Sequence, residues 1–566
     1  MANTALTDST TTNEPQWGRI LICGGTDWPK LGRKDRNKST EGENDAIFNP
    51  DLLEPNILRS LLNVKIVSIH TSCAGCHFVA LDIHGTAWLF GRNGFSCLGI
   101  ADVDYVSENA PVPLKPTDLG APQGTKFVHA ACGRNHTLLV GSDGSVWAAG
   151  ANNVGQCGQP PSPDVPAFKP VSVVHGGNRE KVVQASAGIS FSLVLTDTGK
   201  VFSFGSAEKG QLGNGVTGER ILTGNKTGFD IEWQPVFVKE LKDKKVVKIS
   251  SGQQHSLAID DAGTVYGWGF NGYCRLGLGN QVDALKPKVI PQFAGPEEAT
   301  MGADIAAGPT SSIVIDKQGM FWMAGKWKNS GEGSSGSPYS TFRFMQDIMG
   351  CKILLARSGG VTHWLTTPDE DGSPMTVCWG QNAANGELGL GLDEPKSSTK
   401  PTKNMPLSGI HVIDIAAGQN TTLLLAKPND KFSDLPRHPE DVQPPQVCGG
   451  CKKDDGDPLE CDKCDAPWHL HCLNPPLPEV PPGEWFCPEC LKEEGTPIGN
   501  PWRHQKRPKP TILPAGAQRA PAKRPAPPPE EYDDDDDDED EESDDGDRKK
   551  RKASGGRGGA AKKKRQ

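Results

Sequence analysis

The alternation of apolar and polar positions is most regular from Lys245 to Gly277, KVVKISSGQQHSLAIDDAGTVYGWGFNGYCRLG. KVVKISSG is an apolar run ending in glycine. HSLAID alternates up to a turn at Asp260-Asp261-Ala262-Gly263, and TVYGWG alternates again into a glycine-rich bend ending at Leu276-Gly277. Val, Ile, Tyr and Trp suit a pleated, half-buried surface and glycine marks tight bends, so the stretch predicts three short strands. A unit this small cannot bury its own apolar face and needs copies of itself alongside.

The copies are present. KIVSIHTSCAGCHFVALDIHGTAWLFGRNGFSCLG begins at Lys65, KFVHAACGRNHTLLVGSDGSVWAAGANNVGQCG at Lys126 and KVVQASAGISFSLVLTDTGKVFSFGSAEKGQLG at Lys181. Weaker copies start at Ala303 and Lys352. Their turn glycines, Gly85, Gly144, Gly199, Gly263, Gly319 and Gly372, are separated by 59, 55, 64, 56 and 53 residues. A seventh copy begins at HVIDIAAGQNTTLLLAK, His411 to Lys427, and lacks its second half. The missing half is GRILICGGTDWPKLGRK, Gly18 to Lys34, at the other end of the chain. Half-repeats at opposite ends are what a closed ring needs, because the first strands then pair with the last blade and leave no open edge. The expected fold is an all-β, seven-bladed β-propeller over residues 17–427.

At 566 residues the chain is long for one core. It has no run of about 18 apolar residues, and Met1 to Trp17 is polar, so neither a membrane span nor a secretory signal is expected. The net charge of −10 argues against general coating of DNA, and sequence-specific DNA binding is not expected. Residues 1–16 are expected to be disordered, and 428–445, rich in proline and charge, to be a linker. Of 16 cysteines, nine are scattered through the repeats and seven fall between Cys448 and Cys490. In a chain with no recognisable signal, such clustering points to metal in a reducing compartment rather than to disulfides.

The spacing there is Cys448-x2-Cys451-x9-Cys461-x2-Cys464-x4-His469-x2-Cys472-x14-Cys487-x2-Cys490. Eight thiolate or imidazole ligands make two closed, tetrahedral zinc sites, so two structural Zn2+ ions are expected, with no open position for catalysis. His471 is the wrong histidine by spacing and is expected to face solvent.

Two resemblances follow. CGRNHTLL, VYGWGFNGYCRLG, GELGLGLDEPKSST and GRILICGGTDWPKLGRK are similar to the regulator-of-chromosome-condensation repeats, above all those of the mitotic chromosome-passenger branch linked to small GTPases. The founding member of that family exchanges nucleotide on the GTPase Ran and docks on nucleosomes. Its exchange wedge interrupts the third blade, whereas VFSFGSAEKGQLG is continuous here, which weighs against Ran exchange. The added segment comes later, in GNGVTGERILTGNKTGFDIEWQPVFVKELKDKK.

The ligand order at 446–493, with Trp485 two residues before Cys487, resembles a plant homeodomain (PHD) finger. A RING finger would place histidine fourth and lack that tryptophan, so a ubiquitin ligase fits poorly. The resemblance implies a cross-braced arrangement, with Cys448, Cys451, His469 and Cys472 on one zinc and Cys461, Cys464, Cys487 and Cys490 on the other. Many such fingers read the N-terminal tail of histone H3. GDPLECDKCD offers no aromatic for a methyl-lysine cage. Asp462 and Asp465 match the acid pair that grips the tail's arginine in some of these fingers, with Glu460 and Trp485 beside it. Pro482, Gly483 and Glu484 lie where backbone carbonyls receive the free amino terminus. The competing reading is that the acids are merely a solvated surface.

Other matches in the repeats point to structure and not to chemistry. GWGFNG (Gly267 to Gly272) and GEGSSG (Gly331 to Gly336) fit GxGxxG but stand in no strand-to-helix turn. Cys73 and Cys76 lack a second pair at zinc spacing, so packing is expected. His77, His136 and His255 share one repeat position, which suggests a repeated structural hydrogen bond. No nucleophile–base constellation stands out, so no enzyme is expected. Residues 494–566 are low-complexity: a Pro-rich basic stretch, 15 acids between Glu530 and Asp547, then two basic clusters that read as a nuclear signal or nucleic-acid patch. The expectation is a non-catalytic nuclear, chromatin-associated scaffold. Its finger reads an unmodified histone tail, and its propeller docks a protein partner such as a nucleosome or small GTPase. The alternative is an exchange regulator of a small GTPase that the finger addresses to chromatin.

Overall fold

Each repeat folds as an antiparallel sheet, and in three of them an aspartate closes the central turn. Asp82 Oδ1 accepts from the backbone N–H groups of His84 and Thr86, while its Oδ2 accepts from Trp88 Nε1 at 3.0 Å. Asp316 does the same for Gln318, Met320 and Trp322, and Asp260 for Ala262, Thr264 and the Tyr266 hydroxyl. In these blades one carboxylate thus satisfies the turn and pins the aromatic six residues on.

The structure, a computed structural model, describes residues 15–32, 49–440, 442, 444–492, 494 and 495. Six blades follow one another at 66–114, 127–170, 182–237, 246–289, 302–344 and 355–403. The seventh combines both chain ends: Val412–Ala417 pairs with Thr421–Ala426, which pairs with Arg19–Gly24, which pairs in turn with Leu52–Leu58. All six residues of Arg19–Gly24 are buried, and Ile20, Leu21 and Ile22 are at most 1% exposed. The molecule is a closed seven-bladed β-propeller.

The recurring histidines tie blade to blade. Nε2 of His77, His136 and His255 pairs with the hydroxyls of Thr137, Ser192 and Ser312 in the next blade, at 2.9, 2.9 and 3.0 Å. The glycine three residues earlier makes room for the ring: a Cβ on Gly133 would lie 2.1 Å from His136 Cε1, and one on Gly252 would lie 2.2 Å from His255 Cε1. Burial lowers all three histidines, His77 to about 4 and His136 to about 3, so they are neutral at pH 7. The unfolded chain, with histidines near 6.5, binds more protons than the folded one below that pH, so stability falls as pH drops from about 6.5 toward 3. The thermal midpoint should therefore be lower at pH 5 than at pH 7.5, and His136→Asn should narrow the gap. An unchanged gap in that variant would contradict this origin.

Two segments differ from expectation. The stretch read as an insertion includes the outer strand of the third blade, Ile231–Phe237, and the added part before it is a small exposed hairpin of Arg220–Ile221 and Thr227–Gly228. The stretch read as a linker folds onto the ring. Phe432 in a helical turn (Asp430–Ser433) is 1% exposed against the seventh-blade core, and Arg437–His438 adds a parallel strand beside Ile57 and Leu58. Buried His438 Nε2 meets Glu108 Oε1 at 2.8 Å, and Trp28 Nε1 donates to Glu108 Oε2 at 2.7 Å. Two side chains buried in the ring outweigh a proline-rich composition. Residues 1–14 and 496–566, which hold nearly all of the expected disordered ends, lie outside the described residues, as do 33–48 within the closing segment.

Candidate metal centres and the docked finger

The finger has little apolar core: Cys461, Ala466, Trp468, Leu473, Cys487 and Cys490, with Leu477, Trp485 and Phe486 packed against them. Its only sheet in the described residues is the pair Leu459–Glu460 and Pro467–Trp468. Loops that short cannot hold themselves together by burial, so the cysteines and histidine must do it. They converge in two quartets, Cys448, Cys451, His469, Cys472 and Cys461, Cys464, Cys487, Cys490, with the ligand atoms of each within 4.8 Å of one another.

The donor sets fit zinc. Bonds of about 2.3 Å give a tetrahedron with edges of about 3.8 Å. Cys464 and Cys487 Sγ are 3.8 Å apart, Cys472 Sγ is 3.8 Å from His469 Nδ1, and Cys451 Sγ is 3.3 Å from it. His469 turns Nδ1 toward the cysteines because Nε2 donates to the Asp455 carbonyl, which fixes the ring as an outer-shell partner should. His471 is exposed and stacks on His469, outside the quartet. Cys73 and Cys76 are buried in the propeller, where burial pushes the Cys73 thiol up to about 12.

Three acidic residues of the finger, Asp462, Asp465 and Glu484, meet arginines from outside it. Arg59 forms a two-pronged pair with Asp465, Nη1 to Oδ1 and Nη2 to Oδ2, both at 2.8 Å, and also donates to the Lys463 carbonyl at 3.1 Å. Arg437 Nη2 donates to Asp462 Oδ1 at 2.7 Å, while Trp485 N–H donates to Asp462 Oδ2 at 2.6 Å. Arg19 Nε donates to Glu484 Oε2 at 3.0 Å, and its guanidinium stands 4.8 Å from the Trp17 ring and 5.5 Å from that of Phe486. Burial pushes the Glu484 carboxyl above its usual range, and Arg19 works against that rise. Lys463, 0% exposed, donates to the Ser60 carbonyl at 3.1 Å and to Asn63 Oδ1 at 2.7 Å. Asn63 in turn donates to the Cys490 carbonyl at 2.6 Å.

Of the residues singled out for tail contact, Glu460, Pro482 and Gly483 are exposed and Trp485 is half-buried. Asp462, Asp465 and Glu484 each carry an arginine of the same chain. Sequence reasoning missed Arg19, Arg59, Asn63, Arg437 and Lys463. For Arg19 and Arg59 the available signal was a charge inside an apolar run, GRILIC and NILRSLL, whereas Arg437 and Lys463 stand in no such run and Asn63 carries no charge.

Residues 19–428 match the RCC1-like domain family, and residues 446–490 match the PHD-finger family. The RCC2 homolog of Xenopus laevis is 30% identical over 441 residues, covering 74% of this chain and 81% of that protein. The solved structure of human WBSCR16 matches with a TM-score of 0.56 at 23% identity, covering 73% of this chain and 99% of that one. Prp20p of Saccharomyces cerevisiae, described with its binding properties to Gsp1p and histones, matches at 0.55 and 19%, covering 74% and 93%. At those identities the solved structures speak for the propeller fold alone. The match over most of the chain, the closed seven-bladed ring and the two metal quartets lead to one placement: this chain belongs to the RCC1-like domain family and carries a PHD finger after its propeller.

Proposed function

We propose that the chain is a nuclear, chromatin-associated regulator whose finger holds two structural zinc ions and takes the unmodified N-terminal tail of histone H3. The propeller, in this reading, docks a protein partner. Family membership and the finger support the chromatin setting. The observation that carries the tail reading is the chemistry of the acid pair: Asp462 and Asp465 each accept charge-assisted bonds from an arginine, one of them two-pronged. A face that binds guanidinium groups in this way suits the arginine of a basic tail. No aromatic stands in GDPLECDKCD to hold a trimethylated lysine, and Trp468 is buried beside the metal ligands.

The test is calorimetry of the zinc-loaded chain with H3 tail peptides bearing a free amino terminus. The unmodified peptide should bind best. Trimethylating the lysine, methylating the arginine or acetylating the amino terminus should each weaken binding at least about tenfold, the loss of one charge-assisted hydrogen bond or more. Preference for the trimethylated peptide would overturn the reading, as would equal binding of all four.

A further inference from the structure

We propose that the finger's acidic face is an arginine site filled in cis, so that the propeller and an arginine-bearing tail compete for the same two aspartates. The proposal rests on the tail reading for its competitor but not for its occupant, which is on view. Both oxygens of Asp465 are engaged by Arg59. Both oxygens of Asp462 are engaged as well, one by Arg437 and one by the Trp485 N–H. A second guanidinium can reach these carboxylates in the same geometry only by displacing the first.

The cis ligands are built in, not loosely draped. Arg59 is 5% exposed and lies directly after the closing strand Leu52–Leu58. Arg437 sits on extended backbone that pairs in parallel with Ile57 and Leu58, and its neighbour His438 is locked onto Glu108. Around this filled site, Glu460, Pro482 and Gly483 stay exposed. A docked finger therefore offers a tail its amino-terminal and flanking positions while withholding the arginine position. Apparent affinity is then reduced by the fraction of molecules in which the finger has let go. By the same linkage, a bound tail frees Arg59 and Arg437 and uncovers a basic strip on the propeller. The finger's ligand and the propeller's exposed surface are thus coupled through two ion pairs.

The test compares the full zinc-loaded chain with its Arg59→Ala/Arg437→Ala variant. Two readouts are used: calorimetry with the unmodified H3 tail peptide, and hydrogen exchange of residues 55–64 and 459–466. The variant should bind the peptide at least tenfold more tightly. It should also lose protection in both segments without peptide, and saturating peptide should produce the loss at residues 55–64 in the parent chain. Equal affinity with equal protection would overturn the proposal. If neither protein bound the peptide yet the variant lost protection, the cis site would stand and the tail reading would fall. A charge-keeping chain, Arg59→Lys/Arg437→Lys, should retain most of the protection that the alanine variant loses, which separates a lost ion pair from a misfolded joint. Protection as low as in the alanine variant, with the zinc retained, would count against the ion pairs as the latch.

Discussion

Stripping the metal from the full chain is expected to unfold the finger and to lower the melting temperature of the propeller with it. Structural zinc contributes on the order of 10 kcal/mol per site to small domains of this kind, so the finger should not survive its loss. The propeller shares the consequence because the two are packed together. Phe486 of the finger lies against the seventh-blade core formed by Leu21, Ile57, Leu407 and Leu424. Lys463 and Asn63 bind each other across the joint, and Arg19 and Arg59 would be left without Glu484 and Asp465. Arg19 and Arg59 are only 7% and 6% exposed in their side chains, so each loses a charged partner at a largely buried site. A fall on the order of 5 °C in the propeller transition is the expected scale. Cys461→Ser should reproduce it without chelator, and metal analysis of the parent chain should find two zinc ions. A propeller transition indifferent to chelation would mean that the finger merely rests on the ring.

Removing residues 15–24 should have a larger effect, because it opens the ring. Arg19–Gly24 is the strand through which the two chain ends meet, pairing with Thr421–Ala426 on one side and Leu52–Leu58 on the other. Its loss leaves two unpaired strand edges and uncovers the apolar faces that Ile20, Leu21 and Ile22 cover. The truncated chain should aggregate. A gentler variant, Leu21→Ala, creates a cavity at a fully buried position and should cost about 2–5 kcal/mol. A soluble, monomeric truncation with an unchanged transition would exclude this closure.

The propeller was legible in the sequence because its signals are local. The turn with its glycine, the aromatic that follows it and the small residue that admits the histidine all fall within one repeat, so the pattern survives even where the apolar residues vary. Closure was legible too, since a half-repeat at each end admits few arrangements. The outer strand Leu52–Leu58 was not, because Glu54, Pro55 and Asn56 interrupt its alternation. The seven cysteines and one histidine of the two quartets were legible from spacing, and their cross-braced grouping from the resemblance to a PHD finger. What could not be read was the joint between finger and propeller. Arg59 and Asp465 are 406 positions apart, and Arg19 and Glu484 are 465 apart. An ion pair that bridges such a distance leaves no periodicity and no motif. The composition of residues 428–445 was misleading for a related reason: Phe432 and His438 find partners that only the closed ring supplies.

The claim on which this account turns is that the finger's aspartates are arginine receptors, and the pair Arg59–Asp465 tests it most directly. A double-mutant cycle with Arg59→Ala and Asp465→Ala, read by chemical unfolding of the zinc-loaded full chain, isolates the coupling between the two side chains. Both are less than one-third exposed, and the pair is two-pronged, so the predicted coupling is about 1.5–3 kcal/mol. A coupling indistinguishable from zero, with both single variants retaining their zinc, would contradict it.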